Sequence, residues 1–114
     1  MPQKLPEPAK EQLSLNDIFS ALADPLRREV ISRLALLEEG TERSCASFGF
    51  PVAKASLTHH FRVLREAGLI SQFDYGNRRA SVLRMRELNE RFPELLPLLV
   101  NSFRGQVCPD NDML

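Results

Sequence analysis

The run Leu57-Thr58-His59-His60-Phe61-Arg62 crowds hydroxyl, imidazole and guanidinium groups into a short stretch. Groups of this kind read the edges of base pairs. A hydroxyl bonds to several bases, a guanidinium matches the guanine edge, and an imidazole donates to a base or a phosphate. A second basic pair, Arg78-Arg79, follows the turn-forming residues Asp74-Tyr75-Gly76-Asn77. It is placed to meet a phosphate backbone or a minor groove. Thiol chemistry has two candidates, Cys45 and Cys108. Catalysis has none. There is no glycine-rich phosphate loop, no nucleophile elbow and no carboxylate cluster with acid–base spacing. His59 and His60 are adjacent, so on a helix they point to different faces and do not serve one centre. The expectation is a binding protein that needs no cofactor, not an enzyme.

The 114-residue chain carries 15 Lys and Arg against 15 Asp and Glu, a net charge of zero. Its distribution is uneven. Residues 1–51 sum to −2, residues 52–86 to +5 and residues 87–114 to −3. Phosphate binding needs local positive charge, and the middle third supplies it. No apolar run reaches the roughly 18 residues of a membrane span. The first residues lack the apolar stretch of a signal peptide. Two cysteines far apart in sequence do not make a disulfide framework. These features place the protein in the cytoplasm, away from the membrane.

Several elements must position the basic groups. Residues 1–13, rich in Pro, Lys, Glu and Gln, read as a loosely attached arm. Ser14 and Asp17 have the spacing of a helix start, and Leu15, Ile18, Phe19 and Leu22 recur on one helical face. Asp24-Pro25 opens a second helix, with Asp24 as cap and Pro25 where an N–H has no partner. Leu26, Val30, Leu34 and Leu37 line it. Residues 42–49 read as a short third helix. A fourth runs from about Lys54 to Ala67, stopped by Gly68, with Leu57, Phe61 and Leu64 inward. Ser56, Thr58, His59, Arg62 and Arg65 lie away from that stripe.

Then the period changes. Leu69 to Phe73 and Ala80 to Met85 read as two strands around a hairpin turn. The tail is helical again, with Leu88, Phe92, Leu95, Leu99 and Phe103 on one stripe. Leu96 and Val100 widen it beyond what a small domain is expected to cover alone, which points to a second copy of the chain; the alternative is that the whole face packs within the monomer. The fold class expected is mostly α with a small β-hairpin. It is a winged helix-turn-helix spanning residues 14–104, with dimerising terminal helices and a tail over 105–114.

Ala21-Leu-Ala-Asp-Pro-Leu-Arg-Arg28, followed by Ser56-Leu-Thr-His-His-Phe-Arg-Val-Leu-Arg-Glu-Ala-Gly-Leu-Ile70, resembles the ArsR family of bacterial winged-helix repressors. The resemblance runs from about Leu15 to Phe103. It implies a homodimer whose first and last helices pair across a two-fold axis. The recognition helices would read a roughly palindromic operator in double-stranded DNA, and an inducer would release it. Carried over by position, the DNA-binding residues are Lys54, Ser56, Thr58, His59 and Arg62, with Arg78 and Arg79 on the wing. Ala53 stands where many relatives have a serine cap. The other reading of such a fold is a protein–protein interaction module without DNA binding, but Lys54, Arg62 and Arg65 oppose the acidic or apolar outer face it needs.

The resemblance also bears on what is sensed. The family's familiar metal sites use Cys-x-Cys before the recognition helix, or Asp, His and Glu on the last helix. Here Glu42 to Phe48 holds one cysteine, and Glu87 to Phe103 holds no histidine. A soft metal takes three or four nitrogen or sulfur ligands. The expectation is a member with no metal, whose inducer is unknown. Some redox-responsive relatives carry a cysteine pair in comparable elements, which makes Cys45 and Cys108 a candidate redox pair.

Overall fold

A computed structural model of the chain describes residues 2–107. Its helices are α1 (Leu15–Leu22), α2 (Pro25–Ala35), α3 (Lys54–Glu66), α4 (Met85–Arg91) and α5 (Leu95–Val107). Its strands are β1 (Gln3–Lys4), β2 (Arg43–Ser44), β3 (Ile70–Asp74) and β4 (Arg79–Leu83). They form one antiparallel sheet in the order β1-β3-β4-β2. The expected hairpin is thus the centre of a sheet, with a two-residue strand on each edge.

Local chemistry sets the helix ends. The Ser14 hydroxyl accepts from the Asp17 N–H at 3.3 Å and starts α1. Asp24 accepts from the Leu26 and Arg27 N–H groups at 2.8 and 3.3 Å, and Pro25 occupies the first turn of α2. Burial alone would raise the Asp24 carboxyl. The two N–H donors, with the nearby His60 and Arg27, bring it below its ordinary value. The arginines of the Asp24-Pro25-Leu26-Arg27-Arg28 segment then close the end of α1. Arg27 Nε donates to the Ala21 carbonyl at 2.7 Å, and Arg28 Nη1 to the Leu22 carbonyl at 3.1 Å. Those carbonyls have no partner inside the helix, so the side chains replace water there.

The core runs through all the long helices and the sheet. Ile18, Val30, Ile31, Leu34, Phe61, Leu64, Leu69, Ile70 and Leu88 are almost fully buried. On α5, Leu95, Leu96 and Leu99 face inward, so Leu96, expected to need a second copy of the chain, is covered by its own, and Val100 is half-buried. Pro97 falls in the first turn of α5, and Pro93 precedes the helix, so neither breaks it. Two apolar residues of the α1 stripe do not enter the core. Leu15 is 44% exposed and Phe19 57%, and on α5 Leu98 is 64% exposed.

Three expectations need correction. The arm is not loose. Gln3 and Lys4 pair with Asp74 and Phe73, the Pro8 carbonyl accepts from Arg84 Nη1 at 2.7 Å, and Leu13 is core. The free edge of β3 and the Arg84 guanidinium offer the arm partners that its composition does not announce. Residues 42–49 form no α-helix. They form β2 and a 3₁₀ turn over Cys45–Phe48, closed by Gly49 in the left-handed region. Pairing of Arg43 and Ser44 with Ser81 and Ala80 takes the backbone that a helix would have used. Arg65, expected off the buried stripe, is buried, and so is Arg84, just after β4.

Gly68 joins α3 to β3 at φ +86°, and a Cβ there would collide with the Leu13 side chain. Gly68→Ala is expected to destabilise the fold by at least about 1–2 kcal/mol, the strain of a left-handed L-residue. Thermal unfolding of the pair checks this; an unchanged midpoint would refute the close packing of the arm.

Candidate nucleic-acid interface

Helix α3 carries one buried face and one open face. Phe61 and Leu64 are buried and Leu57 is half-buried. Ser56, Thr58, His59 and Arg62 are exposed, off the apolar stripe, and Lys54 is exposed because it is the first residue of the helix. His60 is not on that open face. Its Nδ1 lies 3.0 Å from Arg27 Nη1 and accepts from it, so the imidazole ties α3 to α2. This separates the roles of the two histidines, whose rings stand 5.9 Å apart.

The wing lies beside this helix. The Tyr75 N–H donates to the Arg78 carbonyl at 2.9 Å, and Gly76, at φ +91°, donates its N–H to Asp74 Oδ1 at 2.8 Å. Arg78 and Arg79 are exposed at the turn. Arg78 stacks over the Tyr75 ring, 4.1 Å from its centroid, and Arg79 Nε is 3.9 Å from Asp74 Oδ2. The Tyr75 hydroxyl donates to the Glu42 carboxylate at 2.7 Å. That bond and the Glu42 charge raise the phenol's pKa, so it stays a donor. Glu42 and Tyr75 therefore hold the Arg78 platform. Neither residue shows this role in the sequence, because the contact spans 33 positions and leaves no local signal.

The seven residues expected to contact DNA are all exposed: five on α3, Arg78 in the β3–β4 turn and Arg79 at the start of β4. Ala53 gives α3 no side-chain cap, so the first N–H groups of the helix are free to meet an anion. Of the other cations in the basic third, Arg84 lies against Glu7 and Glu87 at 3.5 and 3.7 Å, and Arg86 pairs with Glu39 at 3.3 Å. Neither is part of this face.

Arg65 points under it. Its Nη1 donates to Gln72 Oε1 at 2.7 Å, and Gln72 Nε2 reaches Ser81 Oγ and Cys45 Sγ at 3.5 and 3.6 Å. The network pins the end of α3 to both wing strands and to the Cys45 turn. Arg65→Ala is expected to cost about 1–3 kcal/mol, because the buried Gln72 carbonyl loses its donor. Arg65→Met combined with Gln72→Leu should recover part of that loss, since both partners then become apolar. A urea double-mutant cycle checks this; additive losses would mean that the two groups do not interact.

Cys45 is a half-buried free thiol. Burial raises its pKa against the smaller opposing effects of Ser81 and Gln72, so it is protonated and a weak nucleophile at neutral pH. Cys108, the other half of the candidate redox pair, lies outside the described residues. Among the described residues no group of three or more His, Cys, Asp and Glu is arranged to hold a metal ion, and no helix is long and apolar enough to cross a membrane.

A two-helix unit, a recognition-type helix and a basic hairpin, packed in this order, define a winged helix-turn-helix. The chain is 30% identical over 76 residues to the transcriptional repressor SdpR of Bacillus subtilis (strain 168), a match covering 60% of this chain and 80% of that protein. Its fold is similar to the crystal structure of an ArsR family transcriptional regulator, with a TM-score of 0.58 and 24% identity over 94% of this chain and all of the other. An ArsR-like transcriptional regulator from Rhodococcus sp. RHA1 superposes with a TM-score of 0.54 at 23% identity, covering 82% of this chain and 92% of the other. The chain belongs to the ArsR family of transcriptional regulators. No family model matches it.

Proposed function

We propose that the protein is a dimeric, sequence-specific DNA-binding regulator that represses its own or a neighbouring operon until a signal releases it. One observation carries this reading. Lys54, Ser56, Thr58, His59 and Arg62 share the open face of α3, with Arg78 and Arg79 beside them on the wing. A helix presents such a face to the major groove, and a basic hairpin beside it meets the backbone or minor groove. The name of the Bacillus subtilis relative, a transcriptional repressor, supports the direction of control.

The dimer rests on Leu15, Phe19 and Leu98, large apolar side chains left in water on the first and last helices. Exposed apolar groups gathered on such elements mark an interface. A two-fold pairing of the chain would present two recognition helices to a palindromic operator in double-stranded DNA.

The test is fluorescence anisotropy of the reduced protein on DNA from upstream of its own gene, against scrambled DNA, at two salt concentrations. A preference of about tenfold or more that weakens as salt rises is expected. Absence of binding to any DNA would move the function to a protein–protein interaction module.

A further inference from the structure

A cleft of about 700 Å³ separates the start of α3 from the wing, within the size range of sites for small organic ligands. One wall is apolar, from Phe50, Val52, Leu57 and Phe61. The mouth is cationic, with Lys54 on the helix side and Arg78 and Arg79 on the wing side. Asp74 is the one acidic residue among the lining side chains. It is already engaged by Arg79 at 3.9 Å and by the Gly76 N–H at 2.8 Å. The mouth therefore keeps a surplus of positive charge.

The floor completes the selection. Gln72 and Cys45 line it, but Gln72 spends its carbonyl on Arg65 and its amide on Ser81 and Cys45. Gln72 therefore offers a ligand no free strong donor or acceptor. A bare inorganic anion would leave the aromatic wall unused, and a neutral apolar molecule would leave the cations unpaired. We propose that this cleft is an effector site for a small amphipathic carboxylate, with its apolar body against Phe50, Val52 and Leu57 and its charge at Lys54, Arg78 and Arg79.

The regulatory half of this proposal rests on the DNA-binding reading. The same three cations would face phosphates on DNA, so ligand and DNA compete for them. Reciprocity follows: each weakens the other by the same factor. Release by this site needs no metal and no thiol chemistry.

The test uses the full chain labelled with ¹⁵N, without DNA, titrated with sodium 2-naphthoate and separately with its neutral counterpart 2-naphthalenemethanol. Saturable amide shifts are expected around Val52 to Phe61 and the β3–β4 turn. The carboxylate should bind about tenfold or more tightly than the carbinol. Val52→Trp, which fills the mouth from a half-open position, should weaken 2-naphthoate by about tenfold, and the exposed Lys54→Gln should do the same should Val52→Trp fail to fold. Equal affinity for both probes, shifts centred on Leu15, Phe19 and Leu98, or no saturation by about 10 mM would overturn the site. Saturating 2-naphthoate should then lower DNA affinity by about tenfold. Binding of both without mutual weakening would overturn its regulatory role. Failure of the probe-free protein to bind DNA would instead defeat the DNA-binding reading, and the titration would still decide the cleft.

Discussion

Phe61→Ala is expected to destabilise the protein by about 3–5 kcal/mol, the range for removing a buried phenyl ring from a core that cannot collapse around the hole. Phe61 is 1% exposed. Its ring lies 5.7 Å from that of Phe48, tilted by 48°. Phe48 is itself stacked on Phe50 and faced by the Arg43 and Arg33 guanidinium groups at 4.2 and 5.1 Å. This one side chain therefore fastens α3 to the 3₁₀ turn, and through that turn to α2 and the sheet edge. Thr58, one turn earlier on the same helix, is exposed, and Thr58→Ala should change stability by less than about 0.5 kcal/mol. Urea unfolding followed by circular dichroism separates the two. A Phe61→Ala midpoint within about 1 kcal/mol of the parent would mean that α3 is held by something other than its apolar face.

The same contrast explains what could be read from residues alone. Ser14, Asp24-Pro25 and Gly68 act on backbone groups within a few positions, so local chemistry is enough to place the starts of α1 and α2 and the end of α3, whereas α2 stops at Ala35, short of Leu37 on its expected stripe. The period of Leu57, Phe61 and Leu64 sufficed to orient α3. Arg65 was misread because charge was allowed to outvote position. It follows Phe61 by four and Leu64 by one, at the edge of the buried stripe, where an arginine can enter once Gln72 receives it. The remaining misses were non-local. Gln3 and Lys4 find β3 some 70 positions away, and Glu42 finds Tyr75 across 33. Neither partner carries a mark of the other in a single sequence.

For Leu15, Phe19 and Leu98 the difficulty was of another kind. Periodicity correctly assigned Leu15 and Phe19 to the apolar stripe of their helix. It does not distinguish an apolar face covered by the same chain from one covered by a second copy. Only the packed monomer separates Ile18 and Leu22, which it buries, from Leu15 and Phe19, which it leaves in water.

On DNA, Arg62→Ala should lower affinity for the preferred sequence by about 1–3 kcal/mol and relax specificity at the base pair it contacts. The side chain is exposed on the open face of α3, and no hydrogen bond or ion pair holds it within the described residues. Its guanidinium is thus free to take the bidentate edge of a guanine. Arg78 and Arg79 should behave differently. They sit on the wing, and a phosphate contact carries no sequence information. Replacing both with Ala should weaken preferred and scrambled DNA alike, and should reduce the slope of log affinity against log salt by about 2 per subunit, or roughly 3.6 for the proposed dimer, at about 0.9 for each phosphate released. Anisotropy titrations over a salt series distinguish the two classes. An equal loss for Arg62→Ala on every sequence, with a reduced salt slope, would move Arg62 to the backbone. A sequence-dependent loss from the wing pair would place its arginines in a groove. In either case Tyr75→Phe gives a control: it keeps the ring under the Arg78 guanidinium and leaves both wing charges in place, so the salt slope should stay near the parent's even though the bond to Glu42 is lost.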